Sequence, residues 1–486
     1  KLHNVFICHE AKEVLRLIES FISEFNNLKD KITADDIFRE LVRRELIAVY
    51  PDRRVRTRHL ELILRSIYSR PYPNALSTLE YIILKPYISV LSSFEEHTGE
   101  ELYEITKNYL KQKVDQALAD VFSRILAIAF MRGIAEKESL KDGMLSAYQY
   151  SNLNTLFRYI ANDLPSISLL AAPTGTGKTW IFILYAIARI LEAKASGEIS
   201  GVKVLIIYPR KALARDQAER ILKLLRIINE ELKCRNLESY KITLGIWDKD
   251  SPYYWKDVEE KRQKGMVEFR GIKCPICGRK LVYDISAKVI RCSSCKGKFD
   301  YIGDVREWIV DTEPDILITN FWAINYRLIS KRFKRLLDDS IRCIIIDEAH
   351  VLRDLTGAFV SYLLCRILLR LAMQYKKLCE NSSGSLKLDP KAEYDALEWI
   401  REYLRARNLS IILSSATIST AQKLKERCKD AELFAKNVIY PKIYEIFTSI
   451  CKSRGFSPII YHDYDEIYQK LYSEKPELQK LHRKIN

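Results

Sequence analysis

No uninterrupted apolar run in this 486-residue chain is long enough to cross a bilayer. Val121–Met131 is broken by Arg124, and Ala358–Met373 by Arg366 and Arg370. That absence argues against membrane insertion, and no secretory signal is read at the start. Paired cysteines are also scarce: Cys8, Cys234, Cys343, Cys365, Cys379, Cys428 and Cys451 are scattered, as in the apolar run RCIIID. Thiols placed this way are small core residues rather than bridges, so an intracellular, cytoplasmic compartment fits. An acidic excess is missing too. With 79 Lys+Arg against 63 Asp+Glu the chain carries +16, which suits a polyanionic partner such as nucleic acid. The 48 % of hydrophobic residues is enough for several packed domains. The first residue is Lys1 rather than Met, so the sequence is expected to begin inside a longer protein.

Glycine is sparing overall, yet it concentrates where an apolar run ends, in ISLLAAPTGTGKT, residues 167–179, before the helical WIFILYAIARIL. Strand, glycine turn and helix in that order form a cradle for nucleotide phosphates. Thr174, Gly175, Thr176 and Gly177 supply a backbone whose N–H groups converge, and the following helix N-terminus adds a favourable dipole. Lys178 reaches the β- and γ-phosphates in such a loop, and the Thr179 hydroxyl ligates Mg²⁺. The second half of ATP chemistry is supplied by IRCIIIDEAH, residues 341–350. A hydrophobic strand there ends in Asp347, suited to hold Mg²⁺ through water, and Glu348, suited to polarise an attacking water.

Residues 1 to about 140 read as helical, from Val14, Leu17, Ile18, Phe21, Ile22 and Phe25 and again from Leu110, Val114, Leu118, Val121 and Ile125. Thr33 with Asp36 resembles a capping box. Arg53, Arg54, Arg56, Arg58, Arg65 and Arg70 crowd around tyrosines, which reads equally as a nucleic-acid face or as a solvated helix face. Further on, VKVLIIYP, PDILITN and SIILSSATIS are short buried strands of the parallel kind, and residues 352–372 form a long helix before a polar loop at 381–391.

Cys274-Pro-Ile-Cys277 and Cys292-Ser-Ser-Cys295 flank a segment that alternates like a hairpin. This is the spacing of a zinc ribbon, whose four thiolates close a tetrahedral shell, so the Zn²⁺ is structural. A redox or iron–sulfur site is the weaker alternative. Lys273, Arg279, Lys280, Arg291, Lys296 and Lys298 give the ribbon a basic face suited to nucleic acid or a partner subunit.

The ordered motifs YQ, APTGTGKT, PRKALARDQ, PDILITN, DEAH and SAT, between Tyr148 and Thr417, resemble the first RecA-like lobe of superfamily 2 helicases. The runs after DEAH and SAT resemble Lhr-type and YprA-type DEAD/H helicases with a C-terminal zinc-binding domain. The resemblance implies an α/β fold: a P-loop RecA-like parallel sheet flanked by helices, here with an inserted zinc ribbon and an N-terminal all-helical region. Ala172 at the first motif position is the form usual in these motors. The resemblance further implies Gln149 as reader of the adenine edge. It implies Arg210, Lys211 and Gln217 of motif Ia, with Thr319 and Asn320, as nucleic-acid contacts. Ser415, Ala416 and Thr417 would couple the ATP site to nucleic acid through His350. Arg210 departs from the family, which usually has Thr there.

The expected organisation is a helical region at 1–140, the RecA-like lobe at 141–425 with the ribbon at 266–302, and at 426–486 the start of a connection to a second lobe. No Q-x-x-G-R-x-x-R motif follows Thr417. The arginines of that second lobe, in the same longer chain or in trans, are therefore needed, and residues 1–486 alone should bind ATP weakly and hydrolyse it slowly. The function expected is an ATP-dependent nucleic-acid motor, on DNA rather than RNA by resemblance. The alternatives are a helicase subunit of a prokaryotic defence complex working with a separate nuclease, or a nucleotide-regulated binding module without unwinding.

Overall fold

The computed structural model describes residues 99–134, 145–173, 176–209, 211–263, 268–328, 335–352, 354–383, 392–416 and 424–464, with shorter stretches at 9–10, 33–43, 47–49 and 54–57 and a few single positions. The chain divides into two units, 1–92 and 93–486. In the first, the helix Ala34–Arg43 opens on the expected capping box: the Asp36 N–H donates to Thr33 Oγ1 and the Thr33 N–H to Asp36, both at 3.2 Å. Beside its helices this region also carries an antiparallel sheet that helical spacing did not suggest. Its strands are β1 (His9–Glu10), β2 (Ile47–Val49) and β3 (Arg54–Thr57), in the order β1-β3-β2. Arginines around the buried Val55 masked the alternation. Arg54 and Arg56 lie on β3, while the rest of the arginine–tyrosine run lies outside the described residues.

The second unit is a parallel sheet covered by helices. Along the chain come β4 (Ser166–Ala171), β5 (Val204–Ile207) and β6 (Leu244–Trp247). A separate antiparallel sheet follows, made of β7 (Glu268–Lys273), β8 (Lys280–Asp284), β9 (Val289–Cys292) and β10 (Lys298–Phe299). The main sheet resumes with β11 (Ile302–Gly303), β12 (Ile316–Thr319), β13 (Cys343–Ile346), β14 (Ser410–Ser415) and β15 (Ile459–Tyr461). Its order is β11-β6-β12-β5-β13-β14-β4-β15, with every pairing parallel. Strands buried on both faces must be aliphatic throughout, which is why VLII, ILIT and CIII are almost wholly inaccessible.

Two boundaries differ from expectation. Helices Gly99–Leu110 and Gln116–Ile134 belong to this unit, packing on Lys178–Ala195 and Lys211–Cys234. Tyr109 stacks on Phe157, and Phe130 meets Trp180 edge-on, so the lobe's core takes up residues well before 141. At the other end, 426–486 is more than a connection. Leu424–Val438 and Pro441–Lys452 are helices, and β15 pairs with β4 through Ile459↔Ile167 and Tyr461↔Leu169.

The crossover from β13 to β14 contains the helix Asp354–Ser383. Leu355–Glu380 within it is long and apolar enough to span a bilayer by length and composition, and half of it is buried in the lobe. Its apolar side chains Val360, Leu363, Leu364, Ile367, Leu368 and Leu371 belong to the core cluster, as a crossover helix on a sheet face requires. Residues Asn381–Ser383 extend this helix into the expected polar loop, whose remainder lies outside the described residues.

Candidate functional site

The sheet order sets the site. β14 lies between β4 and β13, so the loops leaving the carboxyl ends of these three strands stand side by side. That is the edge where open α/β sheets take their ligands. On β4 the chain leaves at Ala171, turns, and re-forms as a helix beginning at Lys178. Gly177 caps that helix with φ of +76°, a conformation that disfavours any Cβ. Thr176 is buried, its hydroxyl donating 2.8 Å to the Pro173 carbonyl. The Lys178 ammonium donates to the carbonyls of Ala172 and, at 2.8 Å, of Pro173. Thr179 follows in the first turn of the helix; Thr174 and Gly175 lie outside the described residues.

Opposite stands the acidic pair. Asp347, at the end of β13, is 6 % exposed, and its Oδ1 accepts from the Glu348 N–H at 3.0 Å. Burial pushes its carboxyl above the usual aspartate value, against the Ser414 hydroxyl, the Glu348 N–H and Lys178. Burial likewise lowers Lys178, opposed by the fields of Asp347 and Glu348. The three residues therefore feel one another. Glu348 adopts φ of +53°, a left-handed conformation rare for a residue with a side chain and found where surrounding structure holds a functional group in place. His350 Nδ1 lies 3.0 Å from Glu348 Oε2, without the angles of a hydrogen bond.

The remaining expected residues divide. Gln149 is buried in a capping box: the Ser146 N–H donates to its Oε1 at 2.9 Å, and its own N–H is capped by Ser146 Oγ at 3.3 Å. Its Nε2 donates to the Gly177 carbonyl at 3.0 Å. Ser415 is buried at the end of β14, its carbonyl accepting from the Ala172 N–H at 3.3 Å; Ala416 follows, and Thr417 lies outside the described residues. Lys211 begins the helix Lys211–Cys234, and Arg210 lies outside the described residues. Gln217 and Thr319 are inside the protein, and Gln217 Oε1 and Thr319 Oγ1 have no partner among the described residues. Asn320 caps the helix Phe321–Arg327, its Oδ1 accepting from the Ala323 N–H at 2.9 Å.

The cysteine cluster forms a second centre. Cys274 follows β7 and Cys292 ends β9, which brings both knuckles to one end of the small sheet. Sulfur–sulfur distances are 3.7 Å for Cys274–Cys295 and 3.4 Å for Cys277–Cys292, and all four Sγ atoms lie within 4.8 Å of one another. Thiolates at the vertices of a Zn²⁺ tetrahedron stand ~3.8 Å apart. The knuckle backbone fits as well: Ile276 and Ser294 N–H groups point at Cys274 and Cys292 sulfurs at 3.4 Å, and Gly278 takes φ of +70°.

One device the sequence did not reveal holds this small sheet to the lobe. Arg270 on β7 donates to both oxygens of Asp248, at 2.7 and 3.1 Å, to Ser251 Oγ at 2.8 Å, and through Nε to Asp304. Tyr283 on β8 donates to the same Asp304 at 3.0 Å. All three charges are well buried, and the carboxylates stand just beyond β6 and β11 of the main sheet.

Residues 158–246 match the sequence model of the DEAD/DEAH box helicase family. The chain is similar to the Druantia protein DruE of Escherichia coli, 22 % identical over 49 % of this chain and 16 % of that protein's length. Among solved structures it is similar to Mycobacterium smegmatis helicase Lhr bound to ssDNA and AMP-PNP, with 19 % identity, 60 % of this chain and 24 % of that one covered, and a TM-score of 0.32. It is also similar to the DUF1998 helicase MrfA, with 16 % identity, coverage of 74 % and 41 %, and a TM-score of 0.33. DEAD-box helicase Mss116 bound to ssRNA and UDP-BeF shows 15 % identity, coverage of 72 % and 44 %, and a TM-score of 0.36. The chain spans less than half the length of each of these relatives.

Proposed function

We propose that this chain is the ATP-binding half of a nucleic-acid-dependent ATPase of helicase type. The observation that carries the reading is the meeting of Lys178, Asp347 and Glu348 at adjoining strand ends, with Ser415 on the strand between. Gly177, Lys178 and Thr179 would hold the phosphates, and Thr179 with Asp347 would hold Mg²⁺, which supplies neutralisation of the phosphate charge. Glu348, fixed by its backbone, is the group placed to take a proton from an attacking water. DNA is the preferred substrate on the resemblance to Lhr- and YprA-type helicases, and the second lobe completes the charge stabilisation. Cys274, Cys277, Cys292 and Cys295 would hold a structural Zn²⁺, supported by the sulfur spacing above. The likeness to a Druantia protein accords with the second reading, a helicase subunit of a defence complex acting with a separate nuclease.

Turnover by the complete gene product, with and without single-stranded DNA, beside Lys178→Ala and Glu348→Gln, tests this. Stimulation by DNA that disappears in both variants is expected. ATP binding without turnover in any condition would instead favour a nucleotide-regulated binding module.

A further inference from the structure

The outward face of the small sheet carries charge that neither the fold nor the cysteine cluster uses. Strand alternation, through the pairs Leu281↔Cys292, Tyr283↔Ile290 and Phe299↔Ile290, puts these residues on one face. Leu281, Ile290 and Phe299 belong to the core cluster of the lobe, so that face is turned inward. The other face takes one cation from each strand: Lys273 of β7, Lys280 of β8, Arg291 of β9 and Lys298 of β10. Lys273 stands directly opposite Lys280, and Arg291 directly opposite Lys298. Like charges so placed destabilise a sheet, and both pairs weigh against the native state. Carboxylates on the same face offset part of this: Glu268 is paired with Lys280, and Asp284 with Arg291. Lys273 and Lys298 are exposed and have no carboxylate partner among the described residues. Four thiolates around Zn²⁺ make a negative centre that nearby cations would offset, yet Cys292 lies on the inward face while Arg291 and Lys298 lie on the outward one. An anion from outside the chain relieves the row.

The make-up of the face says which anion. Besides its charges it presents only Val282 and Val289, both half-buried, and no aromatic ring. Single strands are held by stacking on aromatic side chains, which this face lacks. Protein interfaces are anchored by aromatic residues and depleted in lysine, the reverse of what stands here. Lysine and arginine without base-reading groups are the means by which proteins hold phosphates irrespective of sequence. Crossing four strands, the row is about 14 Å long, which matches about four phosphates of one duplex strand measured along its axis. We infer that the outward face of the small sheet is a docking track for the phosphate backbone of a nucleic-acid duplex, with Lys273, Lys280, Arg291 and Lys298 as its contacts. This goes beyond the motor reading: the track stands beside β6 and β11, toward the opposite edge of the main sheet from β4 and its nucleotide loop, and uses none of the residues assigned there.

The test is fluorescence anisotropy of a labelled blunt DNA duplex with the full chain over a series of salt concentrations, for wild type, Lys273→Ala, Lys298→Ala and the double variant. Lys377→Ala, an exposed lysine on the helix Asp354–Ser383, serves as the control. Each single variant is expected to lower the slope of log affinity against log salt by about 0.9, and the double variant by about twice that, with Lys377→Ala unchanged. Both ribbon positions are exposed, so the variants should stay folded, which circular dichroism and zinc content check. Wild-type slopes in the ribbon variants, or a wild type that holds no duplex at any salt, would overturn the track. Losses confined to oligo-dT would overturn the duplex as its occupant, and a polyglutamate peptide held more tightly than the duplex would replace it with an acidic protein. Zinc loss in the variants, with duplex binding falling only in step with it, would make the lysines counter-charges to the metal and overturn the proposal.

Discussion

Gln149 and Gly177 are in direct contact across the turn that opens the helix Lys178–Ala195. The amide Nε2 sits 3.0 Å from the Gly177 carbonyl, and a Cβ added at Gly177 would lie 2.2 Å from that nitrogen. Gly177→Ala meets both this collision and a positive φ, so nucleotide affinity is expected to fall by a factor corresponding to about 1–3 kcal/mol. Gln149→Ala loses the capping box and should cost about 0.5–2 kcal/mol of stability. The double variant removes the collision, and a thermal double-mutant cycle should show it less damaged than the sum. Simple additivity would show that the two sites do not touch.

The buried charges of Asp347 and Lys178 are held at the expense of stability. Asp347 has its folded pKa raised, so at pH above that value its buried charge weighs against the native state, and the penalty vanishes as pH falls below the unfolded value. Lys178 is the mirror case: its folded pKa is lowered, and its charged form is penalised until pH rises past the unfolded value. Without nucleotide at neutral pH, Asp347→Asn and Lys178→Met are each expected to melt above wild type while losing turnover. The Asp347→Asn advantage should shrink in melts taken at progressively lower pH. A variant that melts below wild type at neutral pH contradicts this.

Metal content gives a sharper reading of the cysteine cluster. One equivalent of Zn²⁺ per chain is expected by elemental analysis, released on thiol modification and lost in Cys292→Ser. Removal by a chelator should expose the knuckles to proteolysis while leaving nucleotide binding measurable, since the ribbon contributes nothing to the P-loop. Absence of zinc, or visible iron absorption, would replace the assignment.

Arg270→Ala strands two buried carboxylates at once. Removing one partner of a buried ion pair costs about 3–5 kcal/mol, and Asp304 in particular, already pushed up by burial, would be driven to its protonated form. A large drop in melting temperature that is partly restored by adding Asp304→Asn is the expected pattern. Little change would mean that water readily replaces the guanidinium.

Much of this was legible in the sequence because parallel strands buried on both faces must be aliphatic, and the chemistry sits at their ends. That Lys178, Asp347 and Ser415 end such strands was read from the residues; that β14 sets them side by side came only from the sheet order. Gln149 was legible differently from how resemblance implied. Ser146-x-x-Gln149 is itself a capping-box pattern, and that box fixes where the amide goes. β15 escaped notice because three residues carry no period, and only pairing with β4 makes them a strand. Arg270 escaped because its partners lie 22 and 34 residues away, a separation at which sequence spacing says nothing.

The Arg270 clip also decides what kind of object the ribbon is. An insertion joined to its host only by two peptide strands would swing like a tethered weight, and a load on its tip would die out in the linkers. Here the guanidinium pins β7 to the ends of β6 and β11, and the Lys273 N–H reaches Glu219 on the helix Lys211–Cys234 at 3.2 Å. The ribbon is a fin fixed to the hull. Its exposed lysines, Lys296 and Lys298, therefore ride on a sheet anchored both to the ends of β6 and β11 and to the helix that begins at Lys211.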